Sequence, residues 1–183
     1  MQVAVQILLI TGPAGIGKST LCWEIGSKLE AAGIAHAIIE TDELDRVYPK
    51  PGDAELERLR PGTTDISSIN LAAIWSTYSS LGHSRLIMSG VMLHPNFDRR
   101  WILAAIPNAE IILVRLQASE ATLAERLERR ETGSNAGQQL GRTLLQARRM
   151  ATESRDGTLH LDTDGKSPSE LAGTILHEIG WLR

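Results

Sequence analysis

Apolar residues in this chain come in short bursts, separated by longer stretches of helical periodicity. The first burst, residues 3–10, reads Val-Ala-Val-Gln-Ile-Leu-Leu-Ile and stops at Thr11-Gly12-Pro13. A mostly apolar run of that length, with several β-branched residues, predicts a central strand buried on both faces. Residues 18–32 then follow a helical pattern, with Gly33 as the stop. A second burst, Ala35-His36-Ala37-Ile38-Ile39-Glu40, predicts the next strand. Strand, crossover helix and strand make a βαβ unit, so the sheet is expected to be parallel.

Residues 43–64 interrupt the rhythm. They carry Pro49, Pro51-Gly52 and Pro61-Gly62, with a charged helical piece at 54–60 between the two Pro-Gly pairs. Proline and glycine break regular structure, and a long insertion beyond a strand's carboxyl end is a common place for function. Helical spacing returns with Ile66, Ile69, Ala73, Ile74, Tyr78 and Leu81, opened by Thr64 or Asp65 as cap and ended by Gly82. Leu86-Ile87-Met88 centres a third strand that runs into Ser89-Gly90. His94 precedes Pro95, which opens a helix through Trp101. Residues 110–116 form a fourth strand, and Ser119 caps a helix through Arg130 with Leu123 and Leu127 on its apolar face. Residues 132–141 are polar and glycine-rich and read as a mobile loop, with a helix at 142–152 after it. Leu159-His160-Leu161 is a short fifth strand, and Ser167 or Ser169 begins the last helix. The alternation predicts one three-layer α/β domain over residues 1–183, with ligands bound beyond the carboxyl ends of the strands.

The loop after the first strand changes the picture from architecture to chemistry. Gly12-Pro13-Ala14-Gly15-Ile16-Gly17-Lys18-Ser19-Thr20 reads G-x-x-x-x-G-K-[ST], the phosphate-cradling P-loop, between a predicted strand and a predicted helix. Its glycines let backbone N–H groups converge on phosphate oxygens, and the helix dipole points at the same place. Lys18 is expected to reach the β- and γ-phosphates and Ser19 to hold Mg²⁺.

Composition narrows the partners. The chain has 183 residues and a net charge of −3, which argues against a nucleic-acid scaffold or an anionic-membrane binder. The single Cys22 excludes an intrachain disulfide and a cysteine-cluster metal site. No histidine has a partner at metal-ligand spacing. The amino-terminal burst lacks a basic lead and is too short for a signal peptide or membrane span, so a cytoplasmic protein is expected.

Thr41-Asp42-Glu43 follows the second strand directly. Asp42 there holds Mg²⁺ through water or accepts a proton from a substrate hydroxyl, or else caps a short helical turn, with Glu43 and Asp45 as nearby alternatives. Arg46 is placed either to bind an anionic acceptor group or to stand as a solvated charge. The third apolar run ends in Ser89-Gly90 where a Walker-B strand would end in Asp, which disfavours a GTPase-like or motor ATPase plan. Arg126, Arg129 and Arg130 share one helix face before the glycine-rich stretch. Guanidinium groups can stack on adenine and clamp phosphate oxygens; the alternative is a solvated face in which Glu125 and Glu128 pair with them. Residues 162–168, including Asp164, either line the adenine edge or form only a turn and a cap. Trp75, Tyr78 and Trp101 are expected in the core, with base stacking as the alternative.

These residues together resemble the P-loop small-molecule kinases, the group of adenylylsulfate, gluconate and shikimate kinases and chloramphenicol phosphotransferase. The resemblance rests on the P-loop, on Thr41-Asp42-Glu43-Leu44, on Arg126-x-x-Arg129-Arg130, and on Leu161-Asp162-Thr163-Asp164-Gly165, and it covers nearly the whole chain. It implies an α/β/α P-loop NTPase with a five-stranded parallel sheet in the order 2-3-1-4-5. It also implies ATP and Mg²⁺, and transfer of the γ-phosphate to a small-molecule acceptor; separately, a monomer or homodimer is expected. Carried over by position, residues 12–20 bind the phosphates, Ser19 and Asp42 hold the metal, and Lys18, Asp42, Arg126 and Arg130 act in catalysis. Arg126 would cover the adenine, Arg129 or Arg130 would reach the phosphates, and Asp164 would line the nucleotide. Residues 43–64 become the acceptor-side insertion and 130–142 the lid. The acceptor-recognition residues of no single member recur, so the acceptor is not carried over. A regulatory nucleotide switch and a nucleotide or nucleoside kinase are the competing readings.

Overall fold

The computed structural model describes residues 4–91, 95–130, 136–152 and 157–182, with the side chains of 95–97, 130 and 136 outside that set. Val3, His94 and the 131–135 part of the predicted lid therefore lie outside the described residues. Five parallel strands, β1 (Gln6–Thr11), β2 (Ala37–Glu40), β3 (Arg85–Gly90), β4 (Glu110–Gln117) and β5 (Leu159–Asp162), form one sheet in the order β2-β3-β1-β4-β5. The helices are α1 (Lys18–Ala31), α2 (Asp53–Leu59), α3 (Ile66–Ser80), α4 (Pro95–Ala105), α5 (Glu120–Arg130), α6 (Ala136–Thr152) and α7 (Pro168–Glu178).

The central position of β1 explains its unbroken apolar run. Leu8 and Ile10 join the core beneath α1 and α7, whereas Ile7 and Leu9 join the core beneath α3 and α4. A strand covered on both faces needs apolar residues at every position, and each buried Leu or Ile contributes about 1.5–3 kcal/mol of transfer free energy. The α1 and α7 face also takes Ile25, Leu29, Leu171 and Ile175, and the α3 and α4 face takes Leu71, Trp75, Trp101 and Ile102. Trp75 and Trp101 are thus core residues.

Helix ends follow local chemistry. Asp65 accepts a hydrogen bond from the Ser67 N–H and starts α3, and Ser167 starts α7 with a reciprocal bond pair to Glu170. Gly33, at φ +68°, closes α1 with its N–H on the Glu30 carbonyl. Between β2 and α3, a 3-10 turn at Thr41–Glu43 and helix α2 are the regular parts of the insertion.

The structure revises one element. Residues 136–141, expected as loop, are the first turns of α6. Gly137 and Gly141 lower intrinsic helix propensity, but both are exposed and a Cβ at either would meet nothing. Downstream, Thr143 and Met150 are buried and Leu144 and Ala147 pack on the core, so the buried face carries the helix through its weak start. Two strands also begin later than their apolar runs: Val5 precedes β1, and His36 precedes β2.

Candidate active site

The carboxyl ends of β1, β2 and β3 converge on the loop of residues 12–17. Gly17 caps α1 at φ 102°, a left-handed conformation that favours glycine and turns the backbone into the helix. Gly12 sits where the loop crosses β4: a Cβ there would lie 3.0 Å from Ile16 and 3.1 Å from the Leu116 carbonyl oxygen. Lys18 folds back over the loop and donates from Nζ to the carbonyls of Gly12 and Pro13, both at 3.0 Å. The result is a cradle of backbone N–H groups at the amino end of α1 with a cation across it.

Two of the cavities that the loop borders also hold candidate site residues. One, of about 260 Å³, joins Ala14, Gly15, Lys18 and Ser19 of the cradle to Glu40, Asp42, Arg46 and Ser89. Glu40 is the last residue of β2 and Asp42 the middle of the 3-10 turn, so both carboxylates reach the same cleft. That turn is fixed from two sides. Thr41 Oγ1 donates to the Ser89 carbonyl at 2.9 Å, and Asn70 Nδ2 on α3 donates to the Leu44 carbonyl at 2.7 Å. Arg46 stands at the mouth in an exposed ion pair with Glu43, 3.0 Å apart. Gln139 of α6 completes the far wall.

The second cavity, of about 250 Å³, lies on the other side of the loop, against Ile16, Gly17, Thr20, Arg126, Thr163 and Lys166. Arg126 is pinned in its wall: Nη1 donates to the Ile16 carbonyl at 3.0 Å and to Thr163 Oγ1 at 2.9 Å, and Nη2 donates to the Thr163 carbonyl at 3.1 Å. One side chain therefore joins the phosphate loop, α5 and the loop after β5. Asp164 ties the same loop to the start of α5, accepting from the Ser119 N–H at 3.0 Å. That backbone bond, with help from nearby hydroxyls and Arg126, holds the Asp164 carboxyl below its ordinary value. Of this turn, Thr163 and Lys166 line the cavity, while Asp164 serves as the tie to Ser119.

The remaining arginines are placed differently. Arg129 pairs with Glu125 one turn away on α5, 2.6 Å apart and exposed. The Arg130 side chain lies outside the described residues. Arg148 of α6 grips Glu120 of α5 at 2.8 Å, which clamps the two helices together. Cys22, under the cradle, is buried, and burial pushes its thiol up to about 12. Sequence reading missed Glu40, Gln139 and Gln146, whose Oε1 accepts from the Ala14 N–H of the loop at 3.2 Å. Glu40 was absorbed into its strand, although a carboxylate ending an apolar strand on the ligand side was a usable signal. The two glutamines carried no local signal.

The model of the AAA domain family matches residues 8–145, a span that contains the cradle, both carboxylates and Arg126. The chain belongs to the AAA domain family. No curated protein matches this AAA domain chain at a significant level. Among solved structures it is similar to the tunicamycin resistance protein of Deinococcus radiodurans, at 19% identity and TM-score 0.61, covering 96% of each chain. It is similar to a gluconokinase from Sinorhizobium meliloti, at 21% identity and TM-score 0.56, covering 99% of this chain and 98% of that one. A third is the APS kinase of Mycobacterium tuberculosis, solved with AMPPNP and APS, at 18% identity and TM-score 0.53, covering 97% and 98%. The AAA domain here thus has the P-loop kinase fold along its full length, with the sheet order expected from the resemblance.

Proposed function

We propose that this protein is an ATP-dependent kinase that transfers the γ-phosphate to a hydroxyl of a small polar molecule. One observation carries the reading: a single cleft holds the phosphate-cradle residues Lys18 and Ser19 together with the carboxylates Glu40 and Asp42. A regulatory switch has no use for an acceptor-sized polar cleft facing the phosphate end of its loop. The similar solved structures, gluconokinase and APS kinase among them, share the fold on which such transfer is performed.

In this reading the adenine lies in the cavity walled by Arg126 and Thr163, and the phosphates run across residues 12–20 towards Asp42. The acceptor enters past Arg46 and Ser89. Asp42 takes the hydroxyl proton as the acceptor oxygen bonds to the γ-phosphorus and the bond to the bridging β,γ-oxygen breaks, releasing ADP. Lys18 leaves its carbonyl partners to neutralise charge on the transferring group. Arg46 exchanges Glu43 for an anionic or polar group of the acceptor. α6 and α5, with Arg129 and Arg130, close the site against water.

Among the described residues no group of three or more His, Cys, Asp or Glu side chains is placed to hold a metal. The donor set nonetheless fits Mg²⁺, which favours hard oxygens and binds through one or two carboxylates plus substrate phosphates. The Ser19 hydroxyl, with Asp42 or Glu40, would hold it, and the ion would supply charge neutralisation for the transferring phosphate. No helix among the described residues is long and apolar enough to cross a membrane. A cytoplasmic enzyme acting as a monomer or homodimer fits a site built within one chain.

The test is acceptor-stimulated ADP release. Purified protein with ATP and Mg²⁺ is screened against sugars, polyols, nucleosides, nucleotides and hydroxylated antibiotics. The expected result is turnover on one class, abolished in Lys18→Ala. Binding of ATP with no stimulation by any class would favour the regulatory switch, and absence of nucleotide binding would defeat both.

A further inference from the structure

Helix α6 touches the phosphate cradle at one polar point. The Oε1 atom of Gln146 accepts a hydrogen bond from the Ala14 N–H, at 3.2 Å across 132 residues of sequence. The donor is a backbone N–H, so the amide must present its oxygen there. Ala14 has a particular place in the cradle. Ile16, Gly17 and Thr20 line the cavity on the Arg126 side, whereas Ala14 and Gly15 line the cleft that holds Asp42. On the kinase reading, a triphosphate running from the Arg126 cavity to the Asp42 cleft ends against Ala14 and Gly15. Pro13 has no N–H, so Ala14 offers the first backbone donor at that end. On the kinase reading, Gln146 therefore occupies a donor that a terminal phosphate would use.

We propose that Gln146 is a specificity-determining residue that discriminates ATP from ADP. This rests on the kinase reading above for the direction in which the phosphates lie. With the cradle empty or holding ADP, the amide oxygen keeps the Ala14 N–H and latches α6 to the loop. A γ-phosphate takes that N–H and releases the latch. Gln139 lies two turns earlier on the same helix and lines the acceptor cleft, so release of Gln146 moves a wall of that cleft. Behind the latch, a cavity of about 210 Å³ between Pro13, Gln117 and Ala147 leaves room for the helix to shift. Its far end stays anchored, because Arg115 Nη1 on β4 donates to the Met150 carbonyl at 2.8 Å. The acceptor wall is thus set by whether the donor still carries its transferable group.

Calorimetric titration of the full chain with AMPPNP and with ADP, both with Mg²⁺, tests this without any acceptor. Gln146→Ala removes a competitor for one N–H, so AMPPNP binds about three- to ten-fold tighter and ADP stays within about two-fold. Gln146→Glu keeps the shape and sets a negative charge against the γ-phosphate, so AMPPNP weakens by at least about ten-fold and ADP by much less. A packing role would shift both nucleotides alike and would not reverse sign between the two variants. Unchanged or weaker AMPPNP binding in Gln146→Ala, or parallel shifts for the two nucleotides, overturns the proposal. If Gln146→Ala does not fold, the isosteric Gln146→Glu decides it by the same AMPPNP-to-ADP ratio. Wild-type protein that binds neither nucleotide removes the kinase reading as well. Discrimination with no acceptor ever phosphorylated leaves the latch and removes the kinase.

Discussion

Asp42 and Glu40 share one cleft but differ in exposure. Asp42 sits on the 3-10 turn and is exposed, so the hydroxyl of the proposed acceptor can approach it. Glu40 ends β2 and is more enclosed. A general base contributes about 10²–10⁴-fold, so Asp42→Asn should lower kcat by that order and leave ATP affinity within a few-fold. Steady-state kinetics on the acceptor found by the screen check this, and normal turnover in Asp42→Asn would move the base to Glu40. Asp164 makes a different, structural prediction. Its carboxyl is held below the ordinary value of about 3.9, chiefly by the Ser119 N–H, so its ionised form is favoured in the folded state. The stabilisation is present above about pH 4 and fades as pH falls through the lower folded value. Asp164→Asn should therefore lower the melting temperature near pH 7, and the gap to wild type should shrink towards pH 3. A gap independent of pH would show that the shape of the side chain, not its charge, holds the loop.

At the scale of elements, the sequence was most readable where structure and chemistry are local. The phosphate loop announces itself because glycines, Lys18 and Ser19 must sit within a few residues of one another. Asp42 was readable because it follows a strand end directly. Gln146 was not, since its partner Ala14 is distant in sequence and the contact exists only once α6 packs. The start of α6 was misread for the opposite reason: Gly137 and Gly141 gave a strong local signal that burial of Thr143 and Met150 overrides. That revision can be tested. Both glycines lie inside the helix, are exposed, and have open space where a Cβ would go. Gly137→Ala and Gly141→Ala should each stabilise the fold by about 0.5–1 kcal/mol, read as a raised denaturation midpoint. Loss of stability in both would mean that this stretch spends its time in a conformation other than helix.

At the scale of the molecule, the sheet order puts β1 in the centre and divides the ligand edge into two halves. β2 and β3 support the cleft with Asp42 and Arg46, while β4 and β5 support the cavity with Arg126 and Thr163. The phosphate loop and the start of α1 border both, and α5 reaches each through Arg126 and Leu127. A bisubstrate reaction on this frame should show separable defects. Arg126 ties the loop at residue 16 to the loop after β5 through three hydrogen bonds. Arg126→Ala should raise the KM for ATP about ten-fold or more, lower thermal stability, and leave the acceptor KM nearly unchanged. Arg46 pairs with the exposed Glu43 at the mouth of the Asp42 cleft, and surface pairs contribute about 0–1 kcal/mol. Arg46→Ala should therefore leave stability and the ATP KM alone while raising the acceptor KM. Crossed effects, with Arg46→Ala acting on ATP or Arg126→Ala on the acceptor, would mean that the cavities are assigned to the wrong substrates. The two-sided pattern follows from topology alone, because a parallel sheet with its phosphate loop on the central strand leaves one half of the edge for the donor base and the other for the acceptor.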